Sequence, residues 1–371
     1  MIAFPAEGNA RKEALFSALA RADGGGRRFR LIPWSLRGFP ETPDRVAFCL
    51  ARAKHQPQGP VRSLKALLIR LQYNGARRWF ARHPGTLAVA WNGLGGSRLA
   101  FLLAARDAGA PTLSAELAPF PGRITLDPAG VNAESSVPRE AAVFAAWAGA
   151  EPARTGEGWR ALGANLTARP SRRADVGQGA AALPDTPFLF CPLQVPDDSQ
   201  VTLFAGWCGG MVGFLEALAR AARHLPQGWH LRVKEHPSAR VALDLTALTA
   251  TGRVVVDNAT DSFAQLAASR GVVTLNSSMG LQAFFFDRPV VTLGRAFFAR
   301  PGLVHPADSQ AALDAAFAAP DALGFDPADR ARFMNWLDQV YYPRFDPAAP
   351  DLALLRSKLD EARARRASAG R

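Results

Sequence analysis

The chain has 371 residues, and since a single hydrophobic core rarely grows past about 250–300 residues, two domains are expected. Apolar residues make up 48% and charged residues 20%, which excludes a disordered or collagen-like chain, and no uninterrupted apolar run approaches the roughly 18 residues of a membrane-spanning helix. The net charge of +12 sits in residues 1–100, where 17 Lys and Arg face 5 Asp and Glu, while the rest of the chain sums to zero.

The first half alternates helix and strand signals. Ala10–Ala22 reads as a helix and Phe29–Trp34 as a short apolar strand. Arg62–Phe80 is a basic helical stretch with a break expected at Asn74-Gly75. Leu87–Trp91 is a strand, followed by Asn92-Gly93-Leu94-Gly95-Gly96, a helix from Ser97 to Ala108 and a strand at Pro111–Glu116. Between Gly149 and Thr186 the pattern dissolves into Gly, Ala, Pro, Arg and Ser, as in an interdomain connection in which Trp159 anchors a short helix. Strands then recur at Phe188–Val195, Trp229–Glu235, Arg253–Val256, Gly271–Leu275 and Pro289–Leu293, with helices at Gly206–Arg223 and Asp261–Ser269 and after Asn276-Ser277-Ser278. The stretches Asp326–Val340 and Asp351–Arg366 are helical. This is an α/β pattern, divided into an N-terminal α/β domain with a basic surface (1–150), a linker (151–186), a second α/β domain (187–325) and C-terminal helices (326–371). Cys49, Cys191 and Cys208 lack CxxC spacing and read as reduced thiols. Glu7, Arg11, Lys12 and Glu13 break any apolar leader, so no signal peptide is expected.

In doubly wound sheets ligands sit beyond the carboxyl ends of the strands, and four polar segments follow strand patterns directly. In Gln194-Val195-Pro196-Asp197-Asp198-Ser199, two adjacent carboxylates suit either a solvated turn that caps a helix or a carboxylate that attacks an electrophilic carbon. Lys234-Glu235-His236-Pro237 delivers a His to a strand end, where it is either structural or serves a phosphate leaving group. Asn276-Ser277-Ser278-Met279-Gly280 is a strand-to-helix turn whose free N–H groups suit an anion, and a plain N-cap would look the same. The stretch Glu116 to Arg139 is a long Pro- and Gly-rich loop with Asp127 and Asn132 in it, and Glu116 at its strand end is a candidate acid/base residue.

Together these segments resemble the bacterial capsule polysaccharide biosynthesis/export family, whose members include β-Kdo transferases of capsule and lipopolysaccharide assembly. The matching pieces are Trp91-Asn92-Gly93, Glu116…Pro121…Asp127-Pro128-x-Gly130-Val131-Asn132…Ser136-x-Pro138-Arg139, Gln194-x-x-x-Asp198-Ser199, His236-Pro237, and Asn276-Ser277-Ser278-x-Gly280…Pro289-Val290…Leu293-Gly294. Ala118 stands where the family has Gly, and Gln282 where it has Glu. The resemblance implies two Rossmann-like, doubly wound domains facing across a cleft (GT-B-like) and transfer of Kdo from CMP-Kdo with retention through a covalent intermediate. It implies Asp198 as the nucleophile, with Asp197 the competing choice, His236 and Pro237 serving the CMP phosphate, Asn276, Ser277 and Ser278 as the nucleotide turn, and Glu116 as the acidic position. Gln194, Ser199, Lys234 and Gly280 complete the expected donor site, with Asn92, Asp127, Asn132 and Arg139 on the acceptor side.

No Asp-x-Asp motif or metal-ligand spacing occurs, so no metal and no cofactor beyond the CMP-Kdo donor is expected. Leu64, Leu67, Leu68 and Leu71 at helical spacing, with Arg62, Lys65, Arg70, Arg77 and Arg78 around them, suit either a solvated basic face or an anionic membrane surface. The expected partners are therefore a nucleotide-sugar donor, a lipid or glycan acceptor, an anionic membrane surface and capsule export machinery. Nucleic acid is not expected. The expected location is the cytoplasm, peripheral on the inner membrane. A non-catalytic capsule export or assembly factor with a relic transferase fold is the competing reading.

Overall fold

The computed structural model describes residues 1–369 apart from His55, Arg169 and Ala181. The chain forms two compact units, Met1–Val137 with Asp338–Arg371, and Pro138–Leu337.

The first unit holds strands β1 (Ile2–Pro5), β2 (Gly26–Phe29), β3 (Leu87–Trp91), β4 (Thr112–Leu117) and β5 (Ile124–Asp127), in sheet order β2-β1-β3-β4-β5. All pairs are parallel except β4 with β5. Successive strand side chains point to opposite faces, and β3 shows why both faces are dry. Its Ala88 and Ala90 lie under the helices Gly59–Arg82 and Gly96–Asp107, packed with Tyr73, Phe80 and Phe101. Its Leu87, Val89 and Trp91 fill the other face with Phe16 and Leu19 of helix Ala10–Ala22 and Leu355 and Leu359 of the C-terminal helix Leu352–Ala369.

The second unit holds β6 (Phe188–Pro192), β7 (His230–Lys234), β8 (Val254–Val256), β9 (Gly271–Thr274), β10 (Val290–Thr292) and β11 (His305–Pro306) in the order β11-β10-β9-β6-β7-β8. Every pair is parallel. Counted within the unit this is the Rossmann order, which reverses direction between its first and fourth strands, here β6 and β9. Leu189, Cys191, Leu231, Val233, Val273 and Val291 face one core with Phe214, Leu218 and Phe317. The chain is thus α/β with two doubly wound sheets. Cys49, Cys191 and Cys208 are free thiols.

The units divide elsewhere than at 150 and 326. Residues 171–179, read as linker, lie along the second sheet: Arg172 N–H donates to Pro237 O, Gly177 N–H to Asn258 O and Gly179 N–H to Ala259 O, each at 2.8 Å. Trp159 is buried beside Phe285, as expected of an anchor. The C-terminal helices separate. Pro327–Trp336 stays in the second unit, while Tyr341 and the helix Leu352–Ala369 return to the first, where Tyr341 Oη donates to Asp127 Oδ2 at 2.8 Å.

Three local expectations change. Residues 30–34 are a loop, and the strand is Gly26–Phe29. The helix Gly59–Arg82 runs unbroken through Asn74-Gly75. Gly75 is there because a Cβ would overlap the Pro33 carbonyl oxygen, and Asn74 is buried, accepting from Thr42 Oγ1 at 2.7 Å. Residues Ile124–Asp127 of the expected long loop form the antiparallel edge strand β5.

Candidate functional site

Because β6, β7, β9 and β10 are parallel and in register, with Pro192 opposite Lys234 and Thr274 opposite Thr292, the loops that follow them leave one edge of the sheet. Those loops carry Gln194–Ser199, His236-Pro237, Asn276–Ser278 and Gly294–Phe297. The first and third flank the point where strand order reverses, the position at which open α/β sheets bind ligands.

The edge is held together by its own buried amides. Gln194 Nε2 donates to Asn276 Oδ1 at 2.9 Å, and Gln194 Oε1 accepts from Asn276 N–H at 3.3 Å. Asn276 Nδ2 donates to Gln200 O and Phe204 O at 2.9 and 3.0 Å. Gly294 fits against them because a Cβ there would lie 2.5 Å from Phe204 O. Gln194 and Asn276, expected to touch the nucleotide, bond to each other and to the loop backbone, and so frame the crevice.

Lys234 is a second correction. Its ammonium is buried and donates to Gly177 O, Asn258 O and Thr260 O at 2.7, 3.0 and 2.5 Å. An ammonium has three protons, so none remains for a phosphate. Burial lowers its pKa, with Asp257 and Asp261 opposing. Gly280 likewise packs against Thr274 and Phe298 rather than lining the edge.

The groups left at the edge are hydroxyls, an imidazole and carboxylates. Asp198 is exposed and caps the helix Ser199–Phe204, with Oδ1 accepting from Gln200 N–H at 2.8 Å. Asp197 and Ser199 beside it are half-buried. Half-buried His236 accepts from Ser238 N–H at Nδ1, 3.0 Å, which fixes Nε2 as the protonated nitrogen of the neutral ring. Its turn is braced by Glu235, whose carboxylate binds Arg173 at 3.0 and 2.9 Å, Leu243 N–H at 2.7 Å and Asn258 Nδ2 at 3.0 Å. Burial pushes the Glu235 pKa up, and these bonds outweigh it to leave the pKa below the usual value. Ser277 is the N-cap of Ser278–Gln282, accepting from Met279 N–H at 3.2 Å and keeping its own proton to donate. Arg295, on the loop after β10, is an exposed cation of this edge, its guanidinium 5.5 Å from the Phe204 ring. Sequence reading passed over it because an Arg in an Arg-rich chain gives no signal; its place two residues past a buried strand was the available one. Arg139 donates to Ala296 O of that loop at 3.4 Å.

In the first unit, Asn92 and Glu116 meet at the ends of β3 and β4. Asn92 Nδ2 donates to Glu116 Oε2 at 2.8 Å, and Asn92 Oδ1 accepts from Leu94 N–H at 3.1 Å. Asn92 takes φ 62°, a left-handed conformation Asn tolerates, as does Asn132 at φ 55°. Asp127, expected to face a ligand, is wholly buried and accepts from Ala129 N–H, Ser136 N–H and Oγ, and Tyr341 Oη. It closes the 127–136 loop. A cavity of about 350 Å³ lies at the ends of β1 and β2, lined among others by Glu7, Arg30, Leu31, Gln72 and Arg98. Arg77 and Arg78 are engaged internally: Arg77 Nε donates to Glu41 at 3.3 Å, Arg78 Nε to Ser35 Oγ at 3.1 Å, and both lie over the Phe39 ring. Arg62 and Arg70 are exposed and Lys65 half-buried. Among the described residues no group of three or more His, Cys, Asp or Glu is arranged to hold a metal ion, and no helix is long and apolar enough to cross a membrane.

The chain is similar to protein FixF of Sinorhizobium fredii, 31% identical over 247 residues, 65% of this chain and 56% of that protein. It is similar to the capsule polysaccharide modification protein LipB of Neisseria meningitidis, 30% identical over 125 residues, 31% of this chain and 30% of that protein. The chain thus spans about half the length of FixF and less of LipB. Its fold is that of a solved structure, the β-Kdo 2,7 transferase KpsC of Thermosulfurimonas dismutans, with a TM-score of 0.53, 14% identity, and coverage of 98% of this chain and 99% of that one. Residues 167–322, which include all six strands of the second sheet and the loops of its edge, match the family described as capsule polysaccharide biosynthesis protein. The second unit thus carries, over residues 167–322, the sequence pattern of the capsule polysaccharide biosynthesis family.

Proposed function

We propose that this chain is a glycosyltransferase of capsular or surface polysaccharide assembly that moves Kdo from CMP-Kdo to a lipid or glycan acceptor. The supporting observation is that Asp198, His236 and the Ser277-Ser278 turn leave the same edge of one parallel sheet, beside its switch point. In this reading an Asp198 oxygen bonds to the anomeric carbon as the bond from that carbon to the phosphate oxygen breaks, its electron pair leaving with CMP. The His236 Nε2–H and the serine hydroxyls donate to the departing phosphate, and Arg295 supplies the positive charge that Lys234 cannot. An acceptor hydroxyl then displaces Asp198, its proton passing to water. Two inversions give retention.

The test is CMP release from CMP-Kdo, with mass spectrometry of the protein after donor is added without acceptor. Asn caps helices as well as Asp, so Asp198→Asn keeps the fold while removing the nucleophile. Turnover is expected to fall by more than about 10³-fold, beyond the roughly 10²–10³ of a single lost stabilising donor. An Asp198→Asn protein as active as wild type would reduce Asp198 to a cap, and an adduct on Glu116 would reassign the nucleophile. Wild-type protein that releases no CMP would favour the non-catalytic export or assembly reading.

A further inference from the structure

We propose that the first unit docks on an anionic lipid bilayer through a face built from residues 30–37 and the N-terminal half of the helix Gly59–Arg82. Large apolar side chains stand in water there: Leu31 at 78% exposure, Trp34 at 59%, Leu36 at 81% and Leu64 at 68%, with Val61, Leu67 and Leu68 also exposed. They belong to one surface. Residues 64, 68, 71 and 75 share one side of an α-helix. At position 75 that side is covered by the backbone of Pro33 and Trp34, which is why the residue is Gly. Ser35 N–H donates to Leu71 O at 3.0 Å, Asn74 Nδ2 to Ser35 O at 3.3 Å and Arg78 Nε to Ser35 Oγ at 3.1 Å. The loop is therefore pinned to the helix face along which Leu68 and Leu64 continue toward the N-terminus.

Arg30, Arg37, Arg62 and Arg70 are exposed, neither residues 30–37 nor the helix Gly59–Arg82 contains an Asp or Glu, and Glu41, which bonds that helix, is engaged by Tyr73 and Arg77. Aliphatic side chains with a Trp, ringed by Arg, match the boundary between acyl chains and anionic headgroups. A second copy of the same face would bring like charges together. The cavity of the first unit shares Arg30, Leu31 and Gln72 with this surface, so a docked bilayer lies at its rim. The surface goes beyond the transferase reading, and binding to vesicles does not depend on it.

The experiment is flotation of the full chain with phosphatidylcholine vesicles, with and without phosphatidylglycerol, at low and high salt. Wild type is expected to float with phosphatidylglycerol vesicles and to release in salt. Trp34→Glu/Leu36→Glu/Leu64→Glu should lose at least tenfold in the bound fraction, and Arg62→Glu/Arg70→Glu a comparable amount, each with an unchanged melting temperature because the side chains already face water. Wild type that stays at the bottom, or apolar variants that float as well as wild type, would overturn the proposal. A concentration-dependent dimer abolished by the same variants would do so too, assigning the face to a second copy. Vesicle binding without CMP release would sink the transferase reading and leave this one standing.

Discussion

Asn276 separates two views of the crevice: a residue that reads the ligand, or one that holds the crevice open. Its side chain makes bonds of 2.9, 2.9 and 3.0 Å to Gln194, Gln200 and Phe204, and it is 6% exposed. A buried hydrogen bond contributes about 1 kcal/mol net, and stranding its partner costs more. Asn276→Ala removes three such bonds and leaves the Phe204 carbonyl and the Gln194 amide without those donors and acceptors. The expected loss is about 3–4 kcal/mol from the second unit, or a fall in Tm of roughly 6–16 °C at about 2–4 °C per kcal/mol. Urea denaturation followed by tryptophan fluorescence measures it. Because Gln194 is a shared partner, Gln194→Ala with Asn276→Ala should cost less than the sum of the two, by about 1 kcal/mol or more. If Asn276→Ala unfolds at the wild-type urea concentration yet binds CMP far more weakly, the frame argument is wrong and Asn276 is a ligand contact.

Two other consequences are open to direct measurement. Burial pushes the Asp257 pKa up, but the Thr260 side chain and N–H, Arg232 and the Ala259 N–H more than offset it, leaving the pKa at about 2 against an ordinary 3.8. A depressed folded-state value gives stability that is complete above pH 3.8 and lost as pH falls toward 2, about 2 kcal/mol in all; Asp257→Asn should flatten that acid limb in a pH series of urea melts, and an unchanged limb would refute the assignment. Gly75→Ala should displace the Pro33-Trp34 backbone at a cost of about 1–3 kcal/mol, read as faster proteolysis in the 30–37 loop, and a loop as resistant as wild type would show that the close approach is not needed.

The sequence carried the fold well where a segment's neighbours are predictable from the segment itself. Leu87–Trp91 and Gly271–Thr274 are apolar runs buried on both faces, and such runs read as strands of a parallel sheet whoever their partners are. It failed where the partner is far away in sequence. Phe29–Trp34 has a strand's composition, but the Pro33-Trp34 backbone lies against Gly75 and the next residue, Ser35, is bonded to Leu71, Asn74 and Arg78 of the helix Gly59–Arg82. Residues 171–179 look like a linker and become structure only by bonding to residues 237 and 258–261.

The same distinction governs the site. Strand ends could be located from apolar runs, so the edge carrying Asp198, His236 and Ser277 was foreseeable. What each polar group does there was not, because an amide bonded to another loop and an amide awaiting a ligand have the same letter. Lys234 is the exception, since its role could have been read from parity alone. In β7, Leu231 and Val233 enter the core on one face of the sheet, so Arg232 and Lys234 must point to the other. A lysine inside a central strand is therefore aimed at a face of the sheet and away from its edge. An ammonium buried on such a face needs carbonyl oxygens around it, and Gly177, Asn258 and Thr260 provide them. Past the last paired residue, Glu235 is buried and held by Arg173, Leu243 and Asn258, so His236 is the first half-exposed side chain of that run, which is why the edge chemistry falls to it.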